Sequence, residues 1–124
     1  MISLENNNFV IAIKMRKIIY ELSDMLEVVP KKYYFQKNKL LTYAYDLLEN
    51  IYIINNAYSS EYASMIIKDI SMIDLTIGFF LDKKCVSVKQ VEKILYRLTE
   101  ISKMTNVWIS NIKRKNNESW LLWT

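Results

Sequence analysis

Histidine is absent from this sequence of 124 residues, and glycine, proline and cysteine occur once each. Each scarcity excludes something. Without histidine, the commonest general base and the commonest zinc ligand are both missing. Gly78 and Pro30 alone are too few turn residues for an all-β fold or a glycine-rich phosphate loop. Cys85 alone can neither close a disulfide within the chain nor build a Cys-rich metal site, which fits a reducing compartment. No apolar run reaches the roughly 18 residues of a membrane span. The opening MISLENNNFV has no basic n-region and no small-residue cleavage site. A cytoplasmic protein with no membrane partner is expected. The length suits a single domain, 1–124, able to bury a core.

What is present is helical periodicity. The spacing predicts a first helix from about Phe9 (or as early as Glu5) to Val28, with Ile11, Met15, Ile18, Leu22, Met25 and Leu26 at intervals of three and four. Asn6, Asn7 and Asn8 suit a capping or frayed start, and Pro30 ends the helix by disfavouring αR geometry at Val29. A second helix over about 35–57 carries Leu40, Leu41, Ala44, Leu47, Leu48, Ile51 and Ile54. A third, over 60–82, follows a break at Tyr58-Ser59-Ser60 and carries Ala63, Ile66, Ile67, Ile70, Ile73, Ile77 and Phe80. Gly78 lies inside that pattern. It costs about 1 kcal/mol against alanine unless a neighbouring helix needs the close approach.

The fourth helix, 87–114, opens with Ser87 and Gln90 three residues apart, a capping box. Val91, Ile94, Leu95, Leu98, Ile101, Thr105, Trp108, Ile109 and Ile112 form its apolar stripe, and Lys89, Lys93, Arg97, Lys103 and Arg114 lie opposite. From Lys115 the pattern dissolves into a tail, 115–124, ending WLLWT. Four amphipathic helices with short connections predict an all-α, up-down-up-down four-helix bundle.

Few residues offer chemistry. Asp46 and Glu49, with Asp74 from the next helix, make a possible carboxylate group, but diiron-type sites of this kind want Glu-x-x-His. Solvated or salt-bridged carboxylates are the plainer reading. Cys85 has Lys83 and Lys84 beside it, a setting that can make a thiol reactive, yet there is no histidine to build a cysteine enzyme. The methionines look like core fillers. No catalytic residue, metal or cofactor is expected.

Charge points elsewhere. The net charge is +4, yet residues 83–124 hold nine Lys/Arg against three Asp/Glu, and residues 1–82 hold eight against ten. The positive field belongs to the last third of the chain, where it suits a polyanion or a solvated lysine-rich face. The segment from Lys31 to Lys39 interleaves Lys31, Lys32 and Lys37 with Tyr33, Tyr34 and Phe35. Rings stack on unpaired bases and lysines neutralise phosphates, so the segment suits single-stranded nucleic acid. Alternatively, Tyr34 and Phe35 plug the bundle end. The candidate nucleic-acid contacts are Lys31, Lys32, Lys37, Lys89, Lys93, Arg97, Lys103, Lys113 and Arg114. Trp120 and Trp123 in the apolar tail either fold back over the bundle or dock on a partner protein.

Three passages carry a resemblance spanning roughly residues 9–114. They are Pro30-Lys31; the run from Ala44 to Ile51 followed by Ala57-Tyr58; and Val86-Ser87-Val88-Lys89-Gln90 leading to Glu100-Ile101-Ser102-Lys103-Met104 and Trp108-Ile109. Through them the chain resembles the four-helix family that contains the accessory variability determinant of diversity-generating retroelements and the proteins encoded in intervening sequences of 23S ribosomal RNA genes. It departs from that family near Gly78, in the run Ile77-Gly78-Phe79-Phe80, where an arginine is usual, and at Asn106 and Val107, where small residues are usual.

The resemblance implies a non-enzymatic protein assembled as a barrel-like homopentamer with a positive surface. It implies a reverse transcriptase and template-repeat RNA, or an RNA/DNA hybrid, as partners in mutagenic cDNA synthesis. The rival within the family is an intervening-sequence protein of unknown role. The rival outside it is a purely structural oligomeric adaptor.

Overall fold

A computed structural model describes residues 7–56 and 60–122, of which they form four α-helices and no strand. They are α1 (Asn7–Leu26), α2 (Tyr34–Asn56), α3 (Ser60–Asp82) and α4 (Val88–Leu122), with one 3-10 turn over Lys31–Tyr33 before α2. Each helix packs beside the next in the chain, and α1 also packs on α4. That arrangement is consistent with a four-helix bundle.

The core is the set of stripes read from the spacing. Ile11, Met15, Ile18, Leu22, Met25 and Leu26 of α1 are all buried, as are Leu40, Ala44, Leu47, Ile51 and Ile54 of α2. Val91, Ile94, Leu98, Ile101, Thr105 and Trp108 bury the facing side of α4. Leu48, Ile70, Leu95 and Ile109 are only half-buried at the stripe edges. Two α3 positions depart from expectation. Ile67 belongs to the expected stripe but is 57% exposed. Asp69, expected nowhere in the core, is fully buried. The buried face runs Ile66, Asp69, Ile73, Ile77 and Phe80, spaced three, four, four and three, so an acid occupies a core position of the helical period.

The connections follow from local chemistry. α1 stops at Leu26, two residues earlier than expected, in a turn where the Val29 N–H donates to the Leu26 carbonyl at 3.1 Å. Pro30 then holds extended geometry, with φ −60° and ψ 151°, and the Tyr33 N–H closes onto its carbonyl at 2.9 Å. Ser87 caps α4 as the spacing predicts. The Gln90 N–H donates to Ser87 Oγ and the Ser87 N–H to Gln90 Oε1, both at 3.1 Å.

The end of α3 holds a feature the sequence hides. The Cys85 N–H bonds the Phe80 carbonyl and the Lys84 N–H bonds the Leu81 carbonyl, both at 3.0 Å, with Lys84 in the left-handed region at φ 58°. This is a Schellman cap whose αL position holds lysine instead of glycine.

The largest correction concerns the end of the chain. α4 was expected to stop near Arg114 and continues to Leu122, so 115–122 is helix rather than separate tail. No proline or glycine lies between Val88 and Leu122, and loss of amphipathic pattern alone does not break a helix. Trp123 lies outside the described residues, as do the side chains of Ile112, Lys113 and Trp120 and the expected cap residues Tyr58 and Ser59.

Candidate nucleic-acid interface

The seam between α1 and α4 brings cations together. Lys14 and Lys17 of α1 and Lys93 and Arg97 of α4 line an open hollow of about 350 Å3, with Tyr96, Glu100, Ile18 and Ile101. Both helices have their apolar stripes turned to the core, so the stripe edges meet at the seam. Lys14 and Lys17 sit on the edge of the α1 stripe beside Met15 and Ile18. Lys93 and Arg97, four residues apart and expected opposite the α4 stripe, instead reach the seam, where Arg97 is half-buried.

Two carboxylates enter the same seam. Lys14 Nζ donates to Glu100 Oε1 at 2.6 Å, and Arg97 Nε lies 3.1 Å from Glu21 Oε1. Spacing alone would pair Glu100 with Arg97 or Lys103, each three residues away on its own helix. Its partner is Lys14, across the seam. The hydrogen bond and charge of Lys14, then the charge of Arg97, hold the Glu100 carboxyl below its ordinary value. Glu21 is engaged on one side only, since its Oε2 is buried without a hydrogen-bond partner. Lys17 and Lys93 have no ion pair among the described residues. A shallower neighbouring hollow, lined by Glu21, Asp24, Met25, Gln90, Lys93 and Ile94, turns the seam acidic toward the start of α4.

The other expected contacts fall elsewhere. Lys89 and Lys103 are exposed on α4, and exposed Arg114 lies 3.5 Å from Asn111 Oδ1 one turn back. The segment from Lys31 to Lys39 leads into α2 and lines no part of the α1–α4 hollow. Three of its four cations lie over its own rings, Lys32 over Tyr33 and Lys37 over Tyr34 at 5.1 Å and Lys39 over Phe35 at 5.9 Å, while Lys31 is exposed. Tyr33 packs edge-on against Phe79, whereas Tyr34 and Phe35, the expected plug, are exposed. Cys85 is half-buried in the α3–α4 connection, with Sγ 3.8 Å from the Lys83 carbonyl.

Of the expected carboxylate group, Glu49 and Asp74 are exposed and Asp46 is half-buried. Asp46 acts instead on Asp69, whose Oδ2 accepts a 3.0 Å hydrogen bond from Asn50 Nδ2. Burial pushes the Asp69 carboxyl up, and Asp46 adds to the rise. Lys68, 3.5 Å from Oδ1, and the Asn50 bond oppose it. Among the described residues, no three acidic or cysteine side chains converge as a metal site would require. No helix among them is long and apolar enough to cross a membrane.

Lys14, Lys17, Glu21 and Tyr96 are the functional candidates that the sequence reading missed. The available signal was cations three apart on a stripe edge, where a side chain reaches both core and solvent. Against known proteins, no family model matches the chain and no curated protein does.

Proposed function

We propose that the chain is a non-enzymatic RNA-binding accessory protein whose basic α1–α4 seam contacts phosphates. The observation that carries this reading is the convergence of Lys14, Lys17, Lys93 and Arg97 from two helices on one open hollow, with two of the four cations unpaired among the described residues. A polyanion gains most where fixed positive charges are held close together, because each neutralised phosphate releases counterions. The resemblance extends the reading to a diversity-generating retroelement, with a reverse transcriptase and template-repeat RNA or its RNA/DNA hybrid as partners.

The bundle is up-down-up-down in this proposal. Along the seam, Lys14 meets Glu100, Glu21 meets Arg97, and Met25 shares a hollow with Gln90, so positions climb α1 as they descend α4. Self-association as a homopentamer would use the opposite side of the molecule. There Phe35 and Leu75 stand 70% and 69% exposed beside a hollow between α2 and α3 that Tyr43, Met72 and Phe79 also line.

The test is the salt dependence of binding to structured RNA and to an RNA/DNA hybrid. Three or more phosphate contacts give a log–log slope of at least about 2 in magnitude. Affinity that does not change with salt would contradict the proposal.

A further inference from the structure

The seam is only partly available as it stands. Two of its four cations are already neutralised by acids of the same chain, one pair at 2.6 Å and one at 3.1 Å. We propose that Glu21 and Glu100 are resident counter-ions which incoming phosphates displace, so that the hollow accepts adjacent phosphates of a single-stranded nucleic acid with a base against Tyr96. This rests on the RNA-binding reading above and adds how the site is filled and by what.

Three observations carry it. First, the ions already in place are weakly held. The Lys14–Glu100 pair is about two-fifths exposed on both partners, and such pairs contribute little to stability. Glu21 leaves one buried oxygen without a hydrogen bond, an arrangement that favours release of the carboxylate to water. Second, a carboxylate on lysine and arginine occupies the position that a phosphate oxygen would take, since the same donors bind both anions. Lys17 and Lys93 offer the first contacts without any exchange, and exchange at Lys14 and Arg97 then completes the site. Third, Tyr96 lines the hollow and is 74% exposed, so its ring is open to a ligand seated there. A base with a free face covers such a ring, whereas a base stacked within a duplex cannot. The volume, about 350 Å3, lies at the small end of ligand pockets and suits an unpaired base and its flanking phosphates rather than a helix groove.

The exchange also sets a direction for regulation. While the acids stay in place, the seam carries less positive field and weak anions gain little from it. A phosphate within a longer strand, already held by Lys17 and Lys93, competes at high local concentration. The carboxylates thus select for strands over free small anions.

The experiment uses the full chain and a fluorescent single-stranded RNA of about 12 nucleotides, with a duplex of the same sequence and inorganic phosphate alongside. Glu21→Gln and Glu100→Gln are measured separately, with helicity and melting followed for each. Each should tighten single-strand binding by about two- to fivefold, the equivalent of freeing an exposed ion pair. Each should also steepen the log–log salt slope by up to about 0.7. Tyr96→Ala should weaken single-strand binding by at least about fivefold and leave duplex binding unchanged, as loss of a stacked base does. Inorganic phosphate should compete only at far higher concentration than RNA.

Unchanged or weaker binding by both glutamine variants overturns the exchange. An equal loss for duplex and single strand in Tyr96→Ala overturns the single-strand assignment. The double variant Lys17→Gln/Lys93→Gln separates the two levels. If it binds RNA as the parent does, the RNA-binding reading itself has failed. If it binds weakly while the glutamine variants at Glu21 and Glu100 show no gain, only the exchange has failed.

Discussion

At the scale of single residues, one position within α3 and one just beyond its end have their residue types transposed. Gly78 sits in mid-helix, and a Cβ added there would meet no atom within 4 Å. The glycine therefore answers no close approach and only loosens the helix. Lys84 sits at φ 58°, where a side chain is strained and glycine is at ease. Gly78→Ala and Lys84→Gly should each raise stability by about 0.5–1 kcal/mol, measured by urea unfolding. The first corrects an expectation left open by the sequence, which shows a glycine but not the space around it.

Asp69 gives a pH prediction. Its carboxyl is raised in the fold, so between the ordinary value of 3.8 and the raised one the folded state binds more protons than the unfolded state. Stability due to this group is therefore greatest below 3.8 and is lost as pH rises through the folded pKa. Asp69→Asn should be more stable than the parent at pH 7, with the gain shrinking as pH falls toward 4. Thermal melts across that range check it. A gain that stays constant with pH would mean that the carboxyl titrates normally.

At the scale of elements, the sequence was most legible where pattern and chemistry agree. The 60–82 helix has the boundaries that spacing predicts, because Ser60 opens it and its helical period runs on to Phe80, with Asp69 in one core position. The capping box marked the start of α4 through two reciprocal hydrogen bonds. Legibility failed where a helix goes on without an amphipathic pattern. At about 1.5 Å per residue, the 35 residues of α4 reach about 52 Å, while α1 with 20 reaches about 30 Å. Periodicity detects a buried face. It is silent about helix that continues past the partner it packs against.

The register of α4 is testable through Leu98, which is 3% exposed in the core cluster. Leu98→Ala should cost about 2–5 kcal/mol in denaturant unfolding. A loss below about 0.5 kcal/mol would place Leu98 in solvent and shift every cation on the opposite face.

At the scale of the whole molecule, the excess of positive charge in the last third of the chain was visible in the sequence, but its partner surface was not. Lys93 and Arg97 were legible from the wheel of α4. Lys14 and Lys17 were not, because they belong to a part of the chain with net negative charge and gain their role only when α1 lies beside α4. The basic–aromatic segment around Tyr34 also suited nucleic acid, yet Lys32, Lys37 and Lys39 lie over its own rings. Composition shows which groups are present, whereas packing decides which of them remain unpaired.

The proposed homopentamer belongs to this scale too. Native mass spectrometry at micromolar protein should find five copies, and Leu75→Glu or Phe35→Glu should reduce that mass toward one copy without unfolding the chain. A persistent monomer would remove the assembly from the account.

The central claim is that the α1–α4 seam is where RNA is held. Its most direct test is the affinity of Lys17→Gln/Lys93→Gln for RNA, measured by fluorescence anisotropy at several salt concentrations and set against the variant's melting temperature and assembly mass. The account predicts a salt slope lower by about 1.4–1.8 for two lost phosphate contacts in each contacting subunit, with folding and assembly intact. An unchanged slope with parental affinity would contradict it, as would an RNA loss that appears only because the assembly has dissociated.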